Sequence, residues 1–284
     1  MSTVAAALRN AAARLRAAGI DDPAGDARRL VAHALGWPPA RLVIAGPDPL
    51  PPEAAAPLEA ALAARCAHRP VAQILGWRAF WRHAFEVTPD VLDPRPETEV
   101  LVAAALEGTF ARVLDLGTGS GCVLLSLLAE RPAARGLGID VSDAALAVAR
   151  RNAARLGLSD RATLRHGDWL AGVSGPFDLI VSNPPYLAAH ELAGLAPEVR
   201  DWEPAIALSP GGDGLDAYRA IAAGAAAVLA PGGVLAVEIG PTQAEAVAAL
   251  MRSGGLAGTQ LRRDLDGRAR VVLAHRPAPQ GDGL

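Results

Sequence analysis

The chain has 284 residues, 51% of them hydrophobic, and a formal charge of -3. That is enough for a sizeable core and about two domains, but it gives no general attraction to nucleic acid or anionic lipid. Two cysteines, Cys66 and Cys122, stand far apart and the six histidines form no close ligand pair, which excludes a disulfide scaffold and a cysteine-based zinc site and suits reduced thiols in the cytoplasm.

Arg9, Arg14 and Arg16 interrupt the Ala-rich start of the chain, so it does not read as a signal peptide. Residues 2 to about 68 read as helical. Ser2 or Thr3 can cap a first helix with Val4, Leu8, Ala11 and Leu15 on one face, ended by Gly19. A second helix starts near Ala24, carries Leu30, Val31, Ala34 and Leu35, and stops at Gly36. After the short Arg41 to Ala45 segment and the proline-rich Pro47 to Pro52, a further helix runs from about Glu53 to His68. These amphipathic pieces must pack on one another, which predicts a small helical bundle. From Pro70 to Pro96 the texture changes, and Trp77, Phe80, Trp81, Phe85 and Val87 suggest a short hairpin bridging two domains.

From Glu97 onward strands and helices alternate. Strands are expected at Arg112 to Leu116, Gly136 to Asp140, Ala162 to His166, Phe177 to Ser182 and Val234 to Glu238. Helices are expected at Glu97 to Leu106, Cys122 to Glu130, Asp143 to Leu156, Ala217 to Leu229 and Thr242 to Ser253. Such alternation predicts an α/β domain with a mostly parallel sheet and helices on both faces. Gly258 to Asp264 and Arg270 to Ala274 have only Leu265 to Ala269 between them. That is too short for a crossover helix, so they should form an antiparallel hairpin at the sheet edge. Ala220 to Val237 is uncharged and of membrane-span length, but Pro231-Gly232-Gly233 cuts it into a helix and a strand, so no membrane span is expected.

Three stretches carry chemistry. In the first, the apolar strand Val113 to Leu116 runs into Gly117-Thr118-Gly119-Ser120-Gly121 and then a helix. Glycines there let the backbone approach a ligand, and the helix start offers unpaired N–H groups. Asp140 follows 19 residues after Gly121, where a carboxylate can accept from both hydroxyls of a ribose. A dinucleotide site wants its third glycine one residue later, where Cys122 stands, so an amino-acid-bearing adenosine fits better than a pyrophosphate. Asp115 could hold the turn or reach that ligand's ammonium group. In the second stretch, Asp168-Trp169 could bracket an adenine ring, or Asp168 could cap a turn while Trp169 packs in the core. In the third, Asp178 to Ser182 is a buried strand that stops in Asn183-Pro184-Pro185-Tyr186. The two prolines fix φ and restrict the residues before them, so the corner is stiff.

Together these stretches resemble the class I S-adenosylmethionine-dependent methyltransferases, and Asn183 to Tyr186 marks members that methylate planar amide or amino nitrogens. Pro70 to Gly76, Pro94-Arg95-Pro96-Glu97-Thr98-Glu99, Glu198 to Pro204 and Gly214 to Arg219 extend the likeness over the whole chain, which is similar to the release factor glutamine methyltransferase family. The resemblance implies a Rossmann-like sheet with a small all-α N-terminal domain. Residues 1–69 would form a helical bundle for partner recognition, 70–96 a β-hairpin linker and 97–284 the methyltransferase domain. It implies S-adenosylmethionine as cofactor, contacted by Gly117, Thr118, Gly119, Ser120, Gly121, Asp140, Trp169 and Asn183. Asn183, Pro184, Pro185 and Tyr186 would bind the substrate glutamine, with Asn183, Pro184 and Tyr186 acting in catalysis.

The substrate implied is the glutamine of the Gly-Gly-Gln motif in peptide-chain release factors. The enzyme would be a cytoplasmic monomer without direct nucleic-acid contact, membrane or metal. The residue before Pro94 is usually aliphatic in that family and is Asp93 here. Alternatives are a glutamine methyltransferase of a large-subunit ribosomal protein and a DNA adenine-N6 methyltransferase. A non-catalytic nucleotide-binding module or a nicotinamide oxidoreductase is disfavoured by the glycine spacing and leaves Asn183 to Tyr186 unexplained.

Overall fold

A computed structural model describes residues 3–278, so the Ser2 alternative for the first helix cap lies outside the described residues. The chain divides into two compact units, residues 1–77 with 196–202, and residues 78–195 with 203–284.

The first unit is helical. Helix α1 (Val4–Ala17) starts at Thr3, whose hydroxyl accepts from the Ala6 N–H, and buries Val4, Ala7, Ala11 and Leu15 along one stripe. Helix α2 (Pro23–Leu35) is capped by Asp22 and ends at Gly36 in the left-handed region. Helix α3 (Pro52–Cys66) and the short α4 (Val71–Leu75) complete the bundle. Buried Arg65 ties the pieces together: its Nε donates to Asp26 Oδ2 on α2 at 2.7 Å and its Nη2 to Glu198 Oε1 at 3.3 Å. The 196–202 segment is held further by Gln73 Nε2 donating to the Trp202 carbonyl at 2.9 Å.

The second unit opens with the hairpin β1 (Trp77–Phe80) and β2 (His83–Glu86), whose Phe80 and Phe85 are buried in the sheet unit's core. Helix α5 (Glu99–Leu106) leads into the sheet. The elements then run β3 (Arg112–Leu116), α6 (Cys122–Glu130), β4 (Arg135–Asp140), α7 (Asp143–Arg155), β5 (Ala162–His166), β6 (Phe177–Ser182), α8 (Asp216–Val228), β7 (Leu229–Glu238), α9 (Ala244–Ser253), β8 (Ala257–Arg263) and β9 (Ala269–His275). The strand order is β5-β4-β3-β6-β7-β9-β8, with β3 to β7 parallel and β9 antiparallel to both its neighbours. The β8–β9 hairpin thus closes the edge, as its short connection requires.

Alternation along the central strands feeds two cores. Val113, Leu179 and Val181 face one side with α5 and α6, while Leu114, Leu116 and Ile180 face the other with α8 and α9. Among the described residues no helix is long and apolar enough to cross a membrane.

Candidate active site

Strand order reverses between β3 and β6, the place where open parallel sheets bind ligands beyond the carboxyl ends of their strands. Register places four segments side by side there. Leu116 pairs with Ser182 and with Ile139, Asp140 with His166, and Ser182 with Val237. The glycine turn, Asp140, Asp168-Trp169, Asn183 and Glu238 therefore leave the sheet as neighbours.

The turn is built by its glycines: Gly117, Gly119 and Gly121 have φ of 69°, 54° and 81°, conformations that side-chain-bearing residues rarely adopt. Gly117 N and Thr118 N both donate to the Ile139 carbonyl at 2.9 Å, fastening the turn to β4. Buried Asp115 accepts the Thr118 hydroxyl at 2.6 Å, so it holds the turn. Burial pushes its carboxyl up to about 7, against the pull of that hydrogen bond. Asp140 accepts from Gly119 N at 2.8 Å and from Ser142 N at 2.9 Å, one oxygen each, which fixes its plane at the head of α7. Trp169 sits at φ 46°, strained for a residue with a side chain, and its ring lies across Gly117.

These segments surround a cavity of about 460 Å³. Gly117, Thr118, Gly119, Ser120, Asp140 and Trp169 line it, and so do Asn183, Pro185 and the carboxylates Asp115 and Asp168. Gly121, Pro184 and Tyr186 lie outside its wall. Gly121 starts α6. Pro184 is buried behind the corner. The Tyr186 carbonyl accepts from Gln243 Nε2 at 2.9 Å, and burial raises its phenol above the ordinary range.

Of the residues behind the corner, Thr98 and Tyr218 entered the sequence reading only as members of longer family stretches, and Gln243 and Glu238 were not singled out. Asn183 Nδ2 donates to Thr98 Oγ1 at 3.1 Å. Gln243 takes N–H from Gly240 at 3.0 Å while it grips Tyr186, and Tyr218 Oη donates to the Glu238 carbonyl at 3.0 Å. Glu238 itself is buried, and burial pushes its carboxyl up to about 7. Its one sequence signal is a lone acid closing an apolar strand, a buried charge that needs a reason.

At the cavity wall, Arg95 donates to both Glu203 oxygens at 2.7 and 2.8 Å. Asp93, the departure from the family pattern, is buried and meets Arg78 Nη1 at 3.4 Å.

The family model described as PrmC N-terminal domain matches residues 6–76, and that described as methyltransferase small domain matches 91–198. A release factor glutamine methyltransferase of Cereibacter sphaeroides is 63% identical over 272 residues, covering 96% of this chain and 98% of that protein. One of Rhodospirillum rubrum is 52% identical, covering 93% and 82%. Among solved structures, a methyltransferase from Pyrococcus furiosus aligns with TM-score 0.52 at 20% identity over 68% of this chain and 88% of that one, a likeness of fold. The resemblance read from the motifs is borne out, and with such identity over nearly the whole of both proteins the chain belongs to the release factor glutamine methyltransferase family.

Proposed function

We propose that this methyltransferase transfers a methyl group from S-adenosylmethionine to the side-chain amide nitrogen of the glutamine in the Gly-Gly-Gln motif of peptide-chain release factors. The observation that carries this reading is the orientation of Asn183. Its Nδ2 is committed to Thr98, which leaves Oδ1 as an acceptor on the wall of the cavity. The name shared by the full-length relatives supports the substrate.

The cavity suits the cofactor in size and charge. Its volume lies within the range of small-ligand sites. Its carboxylates, Asp115, Asp140 and Asp168, suit a molecule carrying an ammonium, a cationic sulfur and ribose hydroxyls. Asp140 would hold the ribose and Trp169 the adenine face, while the backbone of Gly117 to Gly121 follows the amino-acid end. Bound there, the cofactor supplies an electrophilic methyl group on sulfur.

The chain's own residues do the rest. An amide nitrogen shares its lone pair with the carbonyl and attacks poorly. Asn183 Oδ1 and the Pro184 carbonyl accept its two N–H bonds, aim the lone pair at the methyl carbon and stabilise the positive charge that grows on nitrogen. Pro184 and Pro185 keep these acceptors in place. Tyr186 anchors the far end of the corner through its carbonyl, which Gln243 grips. The surplus proton leaves to solvent after transfer. Residues 1–69 recognise the body of the release factor, and the enzyme works as a cytoplasmic monomer without direct nucleic-acid contact.

Transfer of a tritiated methyl group to purified release factor, large-subunit ribosomal protein and DNA tests the assignment. Label is expected on the release factor alone, and is lost when its motif glutamine is replaced. Label on ribosomal protein or DNA but not on release factor overturns it. Removal of residues 1–69 without loss of activity on intact release factor overturns the recognition role.

A further inference from the structure

We propose that Thr98 and Glu238 are positioning residues that set the orientation of the Asn183 amide through a hydrogen-bond chain running from Glu238 through the Thr98 hydroxyl to Asn183 Nδ2. The inference rests on the functional reading above and names the groups on which it depends.

The geometry is specific. Asn183 Nδ2 donates to Thr98 Oγ1 at 3.1 Å, and the Thr98 hydroxyl lies close enough to the Glu238 carboxyl to pull its pKa down against burial. An ionised carboxylate only accepts, so the Thr98 hydroxyl proton points at Glu238 and its oxygen is left to accept from Asn183. That order of donors permits one amide orientation, with Oδ1 turned to the cavity. Thr98 and Glu238 are each 2% exposed, so water cannot replace either partner freely. Pairing of Ser182 with Val237 brings Glu238 level with Asn183, so the chain is a product of register between β6 and β7. Glu238 Oε2 is buried without a hydrogen-bond partner among the described residues. A buried carboxyl oxygen left without a partner is a cost to folding.

Protonation of Glu238 breaks the order. The neutral acid can donate to Thr98 Oγ1, which frees the hydroxyl to donate to Asn183 Oδ1 and turns the amide so that Nδ2 faces the substrate. Around Glu238 stand Arg270 from β9, Arg95 and Glu97 from the segment before α5, Tyr186 beyond the diproline corner, Tyr218 from α8 and Cys122 from α6. Burial outweighs the two arginines and holds the acid near neutrality, up to about 7.

The test compares Thr98→Val, Thr98→Ser and Glu238→Gln in the full-length enzyme, with release factor as substrate. Thr98→Val keeps the shape and removes both halves of the relay. It is expected to lower kcat about tenfold or more, with the Kd for S-adenosylmethionine changed less than about threefold, and Thr98→Ser is expected to restore kcat to within about threefold. Wild-type kcat should rise with pH about a midpoint near 7, and Glu238→Gln should abolish that rise. A Thr98→Val enzyme within threefold of wild type, or a folded Thr98→Ser enzyme as slow as Thr98→Val, overturns the relay. So does the same midpoint in Glu238→Gln, which decides the matter if Thr98→Val fails to fold by circular dichroism. Wild-type enzyme that leaves release factor unlabelled removes the functional reading and the relay together. Labelling by wild type with unaffected variants removes the relay alone.

Discussion

Asn183 owes its proposed role to three neighbours. Pro184 and Pro185 deny the backbone its freedom, and Thr98 accepts from Nδ2, which fixes the amide with Oδ1 on its other side. In the proposed mechanism, Asn183→Ala removes one acceptor for the charge that develops on the glutamine nitrogen and leaves the glycine turn and Asp140 in place. We therefore expect kcat to fall at least tenfold, while the Kd for S-adenosylmethionine changes little. Single-turnover methyl transfer and equilibrium binding measure the two separately. Turnover within about threefold of wild type, roughly 0.7 kcal/mol, would show that Oδ1 is not a transition-state contact. Asp93 shows the opposite kind of dependence. Its identity departs from the family's aliphatic residue, yet Arg78 at 3.4 Å and the positive field of Arg95 meet it, while burial still raises its carboxyl above the ordinary value. Arg78 and Arg95 offset only part of the cost of burying that acid.

Elements in the sheet unit were legible where punctuation was strong. Arg112 to Leu116, Cys122 to Glu130, Ala162 to His166 and Phe177 to Ser182 fall on the observed bounds, because glycines, prolines or turns flank each run. The single helical turns at Val71–Leu75, Pro197–Arg200 and Ala205–Leu208 were not anticipated. Runs of four or five residues are too short to show a 3.6-residue period, and a proline opens one of them and stands at the N-cap of the other two. Nor could sequence show that 196–202 joins the helical unit, since that follows from Arg65, 133 residues away from Glu198. Arg65 thus acts on α2, α3 and the inserted segment at once. Replacing it by Met keeps the stem and strands Asp26, which is 5% exposed in its side chain and keeps only Arg29. Breaking such a buried pair should cost about 3 kcal/mol. Glu198→Gln should cost under about 1 kcal/mol, because Glu198 is 26% exposed and water takes over. Urea titration of the two variants reads both values. Equal losses would mean that the Asp26 contact is not what holds the bundle.

At the scale of the whole molecule, the glycine turn, Asp140 and Asn183 were visible because each interrupts a local pattern, whereas Gln243 and Glu238 carry no pattern of their own, Thr98 stood out only as part of a family stretch, and the three reach the corner only through the fold. The buried acids have a measurable consequence for stability. Asp115, Glu203 and Glu238 are buried in the sheet unit and each is pushed up to about 7 by desolvation, Glu203 in spite of its pairing with Arg95. In the unfolded chain such carboxyls titrate near 4. Between about pH 4 and pH 7 the native state therefore holds more protons than the unfolded state. Stability must fall as pH rises through that window, by up to about 1.4 kcal/mol per pH unit for each extra proton. The contribution of these groups is fullest below about pH 4 and is gone above about pH 7. Exposed carboxylates held low by arginines, such as Asp213 beside Arg219, act in the other direction, but their gain is complete by about pH 5. Unfolding free energy measured in urea should thus decline by a few kcal/mol between about pH 5 and pH 8. In Glu238→Gln the decline should be shallower, since the amide holds no titrating proton. A wild-type profile that rises over this range, or one that Glu238→Gln leaves unchanged, would mean that these acids are ionised at little cost and that the fold solvates them by a route other than the contacts described.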